Sequence, residues 1–129
     1  MNWTGLDVFD NSIRRTNAWL KEFMQELNWT DRRAAALAFS DVLHAVRDHL
    51  STESAVEFGN QLPLLLRGSY FEGWKPTIPA NRPLPQDLTV VKAVFRILYR
   101  KADEGEIDSV EHLLPDDLHQ LWPPTLRAA

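Results

Sequence analysis

The chain contains no cysteine, only 5 glycines in 129 residues and no long uninterrupted apolar run. Without cysteine it can form neither disulfides nor thiolate metal sites, and it has no cysteine nucleophile. No segment approaches the roughly 18 apolar residues that a transmembrane helix needs, so the sequence predicts no membrane span. The first residues, MNWTGLDVFD, have neither the basic nor the apolar part of a secretory signal. We therefore expect a cytoplasmic protein.

An excess of positive charge is also absent, because 18 acidic residues outnumber 14 Lys and Arg and give a formal net charge of −4. This balance gives no general attraction to phosphate backbones or anionic membranes, so nucleic acid is not an expected partner. With 44% apolar and 25% charged residues, the composition is ordinary for a globular domain. A chain of this length is expected to form one domain with one core.

Apolar residues recur at steps of three and four along most of the chain, which is typical of amphipathic helices. No stretch shows the strict alternation of a strand. Thr30 is the predicted N-cap of the second helix, and Ser51 or Thr52 that of the third. The sequence therefore predicts an all-α fold of six to seven helices. The predicted helices cover residues 7–27, 31–50, 52–59, 64–70, 88–102, 104–112 and 115–122.

An apolar pattern in the first half of the chain recurs 52 positions later, without a gap. Such an internal match indicates that one helical unit has been used twice around a shared core. We expect a first repeat at about 7–74 and a shortened second repeat at 88–122. The matching pairs are Phe39/Val91, Val42/Val94, Leu43/Phe95, Val46/Leu98, Ala55/Ile107, Phe58/Val110, Leu62/Leu114, Pro63/Pro115, Leu66/Leu118 and Tyr70/Trp122.

A proline-rich connector at 75–87 separates the two repeats. Four prolines in this segment exclude a regular helix or a central strand and favour an extended chain that lies against the core. Pro76 and Pro79 also have the PxxP spacing of a polyproline ligand. The alternative hypothesis is therefore a proline-rich recognition segment.

Seven short segments form a distinctive combination. They are TNAWLK at 16–21, VLHAVRDHL at 42–50, QLP at 61–63, RGSYFEGW at 67–74, GEI at 105–107, LP at 114–115 and LWP at 121–123. In this combination the chain resembles a bacterial family known as domain of unknown function 2267. The resemblance implies an all-helical fold over nearly the whole chain. Family members commonly carry a further helix where the connector lies here, so this chain resembles a shortened member.

Residues 104–111 resemble the second half of a calcium-binding EF-hand loop. Completing that loop backwards would place Arg100 at its first ligand position and Ala102 at its third, where calcium needs oxygen ligands. A cation at the first position defeats the site. We therefore interpret residues 104–111 as an acid-rich helix start and expect no bound metal. A longer acidic run extends from 103 to 117. Lys92, Arg96 and Arg100 form a basic stripe that could face this acidic run, solvent or phosphates.

The histidines could take part in catalysis or metal binding only if distant segments converge. His44 has Asp41 and Asp48 within reach on the same predicted helix, and His112 would have to approach from the second repeat. Serine hydrolase and phosphate-loop signatures are absent. A small-molecule or metal-binding enzyme with its site between the repeats is therefore kept as an alternative, without an identified cofactor.

The segment that most resembles an interaction surface contains Arg67, Tyr70, Phe71 and Trp74. Tyr, Trp and Arg are the residues enriched at binding hot spots, although Tyr70 could equally plug its helix into the core. We therefore favour a non-enzymatic protein-interaction module whose partner is a protein. The further alternative is a structural homo-oligomer, because an incomplete second repeat would leave an apolar face uncovered.

Overall fold

A computed structural model describes residues 3–76 and 83–123, and within these ranges the chain is all-helical. The all-α prediction is confirmed. Six α-helices and one 3-10 turn are formed, and no strand lies within these ranges. They are α1 (Asp7–Leu27), α2 (Arg32–His49), α3 (Thr52–Asn60), α4 (Leu64–Phe71), α5 (Leu88–Asp103), the 3-10 turn Glu111–Leu113 and α6 (Asp116–His119).

The first two helices are separated by a left-handed residue and a side-chain cap. Asn28 has a φ of 56°, and the Trp29 N–H donates to the Met24 carbonyl over 2.9 Å, so α1 ends in a Schellman-type turn. Asp31 then caps α2 by accepting from the Ala34 N–H. The prediction that Thr30 is the N-cap was wrong, because the helix begins one residue later than expected and the preceding carboxylate reaches its amide.

The helices α2 and α5 carry most of the core. Helix α1 packs against α2, α4 and α5, and α2 also packs against α3, α4 and α5. Fully buried side chains include Phe23 of α1, Leu43 of α2 and Phe95 of α5. Phe23 meets Phe39 edge to face, with ring centroids 5.0 Å apart. This arrangement leaves the short helix α4 packed against α1, α2 and α3.

The prediction of a helix at 104–112 was wrong. Gly105 has a φ of +81°, and the Glu106 N–H donates to the Lys101 carbonyl over 2.9 Å, so a Schellman turn ends α5 there. The chain then continues irregularly, with Ile107 and Val110 buried in the core. The last predicted helix, 115–122, is also shorter: α6 ends at His119 and turns carry the chain to Trp122.

Several apolar pairs that match across the sequence are buried in both halves. They are Phe39/Val91, Val42/Val94, Leu43/Phe95, Val46/Leu98, Ala55/Ile107, Phe58/Val110, Leu62/Leu114 and Tyr70/Trp122. At the matching positions, α2 and α5 are both helical, and so are α4 and α6. The positions that match α3 form an irregular segment. A common repeated unit stays a prediction.

The connector between α4 and α5 is described only at its two ends. Residues 83–87 are not helical, and Asp87 caps α5 by accepting from the Thr89 N–H. Pro79, and with it the PxxP segment, lies outside the described residues. In the part of the chain that is described, no helix has the length and apolar character required to cross a membrane.

Candidate functional site

The aromatic part of the predicted interaction segment faces inward. Tyr70 is fully buried, and its hydroxyl donates to the Ala55 carbonyl over 2.7 Å. Burial raises the pKa of this phenol well above its ordinary value. Phe71 packs edge to face on Tyr70, and Trp74 lies against Phe71 with ring centroids 5.7 Å apart. Phe71 and Trp74 are half-buried, so they are the accessible members of this aromatic group.

Arg67 forms its hydrogen bonds with the backbone between α3 and α4. Its guanidinium donates to the backbone carbonyls of Leu62 and Asn60, at 3.1 and 3.2 Å from Nη2. These oxygens carry no formal charge, so the bonds position the guanidinium but do not neutralise it. Arg67 therefore presents a fixed positive charge at the junction of α3 and α4.

Among the residues of the enzyme hypothesis, His44 joins α2 to α4. The Nε2–H of His44 donates to the Ser69 carbonyl over 2.6 Å, and Asp48 pairs with buried Arg47 at 2.9 Å. Asp41 is exposed on α2, and His112 is exposed in the 3-10 turn. Within residues 3–76 and 83–123, no group of three or more His, Asp or Glu side chains is arranged to hold a metal ion.

Two residues of the basic stripe of α5, Arg96 and Arg100, face α1, and Lys92 is exposed. Arg96 and Arg100 donate to Glu26 at 2.9 and 2.6 Å, and Arg100 also donates to Glu22 at 3.0 Å. Lys101, which is 4% exposed, pairs with the same Glu22. Burial raises the pKa of Glu22, but hydrogen bonds from Lys101 and Arg100 outweigh it and hold that pKa below its ordinary value. These charges form a structural network across the α1–α5 contact.

An open groove of about 530 Å³ lies between the first half of α1 and the start of α4. The groove combines exposed apolar side chains with three guanidinium groups. Val8 is 65% exposed and Leu64 is 41% exposed, although both belong to helices that pack on the core. The groove is lined by Val8, Asn11, Ser12, Arg14, Arg15, Leu64 and Arg67.

Neighbouring groups fix the arginines of this groove in place. Arg14 bonds the side-chain oxygen of Asn11 and lies 6.0 Å from the centre of the Trp3 ring. The Nε of Arg15 pairs with Glu106 at 3.2 Å, and its side chain remains 37% exposed. Guanidinium groups held in this way can bind carboxylates through two donors at once. The adjoining apolar surface adds contact area for a partner that is not purely polar.

Sequence reasoning placed only Arg67 of this groove in a functional site. In the first predicted helix Val8 belongs to the apolar pattern, and Arg14 and Arg15 lie between its apolar positions. A usable signal was the run Leu64-Leu65-Leu66, because a short helix can turn only one stripe of side chains toward the core. Consecutive leucines therefore include at least one that stays exposed.

The comparisons with known proteins identify a family but no activity. No curated protein matches the chain. The model of the family described as "Uncharacterized conserved protein (DUF2267)" matches residues 16–121, which include α2 to α6 and most of α1. The expected resemblance is confirmed, and the chain belongs to the DUF2267 family.

Proposed function

We propose that the protein is a non-enzymatic interaction module that binds an acidic, partly apolar segment of a partner protein in the groove between α1 and α4. The observation that carries the proposal is the exposure of Val8 and Leu64 beside the guanidiniums of Arg14, Arg15 and Arg67. Apolar side chains grouped on a surface and bordered by polar residues often mark an interaction site.

The chemistry of the groove favours binding over catalysis. Its lining residues supply guanidinium, amide, hydroxyl and apolar groups, and none of them is a carboxylate or an imidazole that could act as a general base at neutral pH. Arginine is one of the residues enriched at binding hot spots. The positive charges favour carboxylates on the partner and disfavour a basic one.

The direct test is crosslinking capture of partners with tagged protein in a lysate of the producing cells. Leu64→Ser and Arg14→Glu alter the groove. Leu88→Ser and Arg33→Glu are matched controls, because Leu88 is 42% exposed against 41% for Leu64, and Arg33 is exposed on α2. Circular dichroism and urea unfolding establish that each variant folds.

We expect a partner that wild type and both controls capture and that both groove variants lose. Its binding should weaken at about 1 M salt, where the Debye length falls to about 3 Å. Equal capture by wild type and the groove variants would overturn the proposal. The chain could instead crosslink only to a second copy of itself, and sedimentation could show an oligomer. That result would replace the proposal of a partner protein with one of self-association. Contact through Phe71 and Trp74 stays a prediction, which capture by Trp74→Ala tests.

A further inference from the structure

The groove between α1 and α4 is rich in hydrogen-bond donors and poor in open acceptors. None of the described residues that line it is Asp or Glu. Two lining side chains, Asn11 and Ser12, have an uncharged oxygen, and each oxygen already accepts a bond. Arg14 donates to Asn11, and the Leu65 N–H donates to the Ser12 hydroxyl over 2.9 Å. Each guanidinium of the groove carries several N–H donors, so a bound partner must supply acceptors.

The backbone along the groove does not supply acceptors for a partner either. The lining residues belong to α1 and α4, where each carbonyl accepts the N–H of the residue four positions later. The described part of the chain forms no strand, so it has no sheet edge to which an extended peptide could add. An extended segment would therefore turn backbone N–H groups toward a wall without acceptors, at a cost in free energy. A helix avoids this cost, because it satisfies its backbone internally.

We infer that the partner segment is an amphipathic α-helix with apolar and acidic residues on one face, an inference that rests on the proposed function. Its carboxylates would meet the guanidiniums of Arg14, Arg15 and Arg67, which can each bind a carboxylate through two donors. Its apolar side chains would lie on Val8 and Leu64, which are 65% and 41% exposed. Binding of an amphipathic helix in a groove is one of the known modes of peptide recognition.

The positions of Val8 and Arg15 on α1 set the expected spacing in the partner helix. They line the same groove, and the seven residues between their positions correspond to about 10 Å along the helix axis. A partner helix that lies along α1 covers the same distance in about two turns. We therefore expect an acidic residue about seven positions from an apolar residue on the bound face of the partner.

Two displayed peptide libraries test the inference without knowledge of the natural partner. Both have peptides of about 18 residues, long enough for an isolated helix, with the same randomised positions in an alanine-rich host. The second library differs by a fixed central proline that prevents a continuous helix. Both are selected on the immobilised full chain, and fluorescence anisotropy of labelled peptides gives the affinities. Leu64→Ser and Arg14→Glu are the groove variants, and Leu88→Ser and Arg33→Glu are again the controls.

We expect the helical library to yield binders that combine apolar and acidic residues at the spacing of about two helical turns. Each groove variant should weaken these binders about tenfold or more, and the controls should bind them as wild type does. Proline placed at the centre of the best binder should weaken it about tenfold or more, because it breaks the helix. Replacing its acidic residues with their amides should weaken it about fivefold, because the charge-assisted bonds are lost.

Two results would overturn the inference and leave the proposed function in place. One is a binder that depends on the groove but comes from the proline library, or keeps its affinity when proline is inserted, since the partner would then be extended. The other is a helical binder that depends on the groove but carries no acidic residue. A third result would overturn the proposed function as well: neither library yields a binder that Leu64→Ser or Arg14→Glu weakens.

Discussion

The guanidinium of Arg47 donates to the backbone carbonyl of Tyr70 over 2.7 Å. The same Nη1 also donates to the Glu72 carbonyl at 3.1 Å, so a side chain of α2 satisfies the C-terminal end of α4. The paired carboxylate of Asp48 balances the buried charge. A buried arginine is tolerated here because its donors meet an anion and two carbonyls.

Replacing Arg47 should strongly destabilise the protein. Arg47→Met removes the bonds to α4 and leaves the Asp48 carboxylate buried without its cation, a change that typically costs about 3–5 kcal/mol. The free energy of unfolding, measured in urea, gives the cost directly. Arg33→Met on the exposed surface of α2 is the control and should change stability by less than about 0.5 kcal/mol. A loss below about 1 kcal/mol for Arg47→Met would contradict this account.

The two glycines in α3 and α4 should respond in opposite directions to alanine. A methyl group at Gly59 would lie 2.6 Å from Cε2 of both Phe71 and Tyr70, whereas one at Gly68 would meet nothing within 4 Å. Gly59→Ala should therefore cost about 1–3 kcal/mol through overpacking. Gly68→Ala should stabilise the protein by about 0.5–1 kcal/mol, because alanine favours a helix. Thermal or urea unfolding measures the stability of both variants. Equal stabilities of the two variants would contradict the close contact at Gly59.

The charge network between α1 and α5 should make stability depend on pH in the acidic range. Hydrogen bonds from α5 hold the pKa values of Glu22 and Glu26 below the ordinary 4.5, despite burial, which raises them. Their contribution is therefore complete above about pH 5 and is lost as the pH falls through the lower values of the folded state. Glu22→Gln should cost about 1 kcal/mol at pH 7.

Unfolding curves of wild type and Glu22→Gln across pH test this linkage. The difference in free energy between them should shrink as the pH falls toward about 3, because the wild-type carboxyl is then increasingly protonated as well. Glu53→Gln, at an exposed site in α3, is the control. A difference that is constant from neutral to acidic pH would contradict the assignment.

Tyr70 should contribute to the stability of the fold and not to partner binding. Tyr70→Phe deletes the hydroxyl that donates to the Ala55 carbonyl and should cost about 1 kcal/mol. Capture of any partner by the folded variant should equal that of wild type, because the side chain is inaccessible. If the folded variant no longer captured the partner, Tyr70 would instead belong to the interaction surface.

Helix positions could be predicted from the sequence wherever apolar spacing and a cap agree. The structure ends α1 at Leu27, as predicted, because Asn28 tolerates the left-handed backbone that stops the helix. Residues 104–112 could not be predicted, since acidic residues at a helix start and at a chain reversal look alike. Gly105 decided the outcome by taking a positive φ, and Ile107 and Val110 then anchored the irregular segment in the core.

The groove could not be predicted because it depends on where α4 lies relative to α1. Helical periodicity marks Val8 as apolar but does not say that the neighbouring helix stops short of covering it. Likewise, Trp19 was expected in a helix, and only packing shows that its Nε1–H is buried without an acceptor among the described residues. The sequence pattern determines which face of a helix is apolar. The angle at which helices cross determines which part of that face stays uncovered.

Side chains from other helices bond to the backbone near both ends of α4. Ser12 of α1 accepts the Leu65 N–H at 2.9 Å, and Arg47 of α2 holds the carbonyl of Tyr70. An isolated helix of eight residues would be unstable in water. The amides of α4 should therefore resist native-state hydrogen exchange until the protein unfolds globally, and α4 should not fray independently. The opening of this short helix should therefore cost as much free energy as the unfolding of the whole domain.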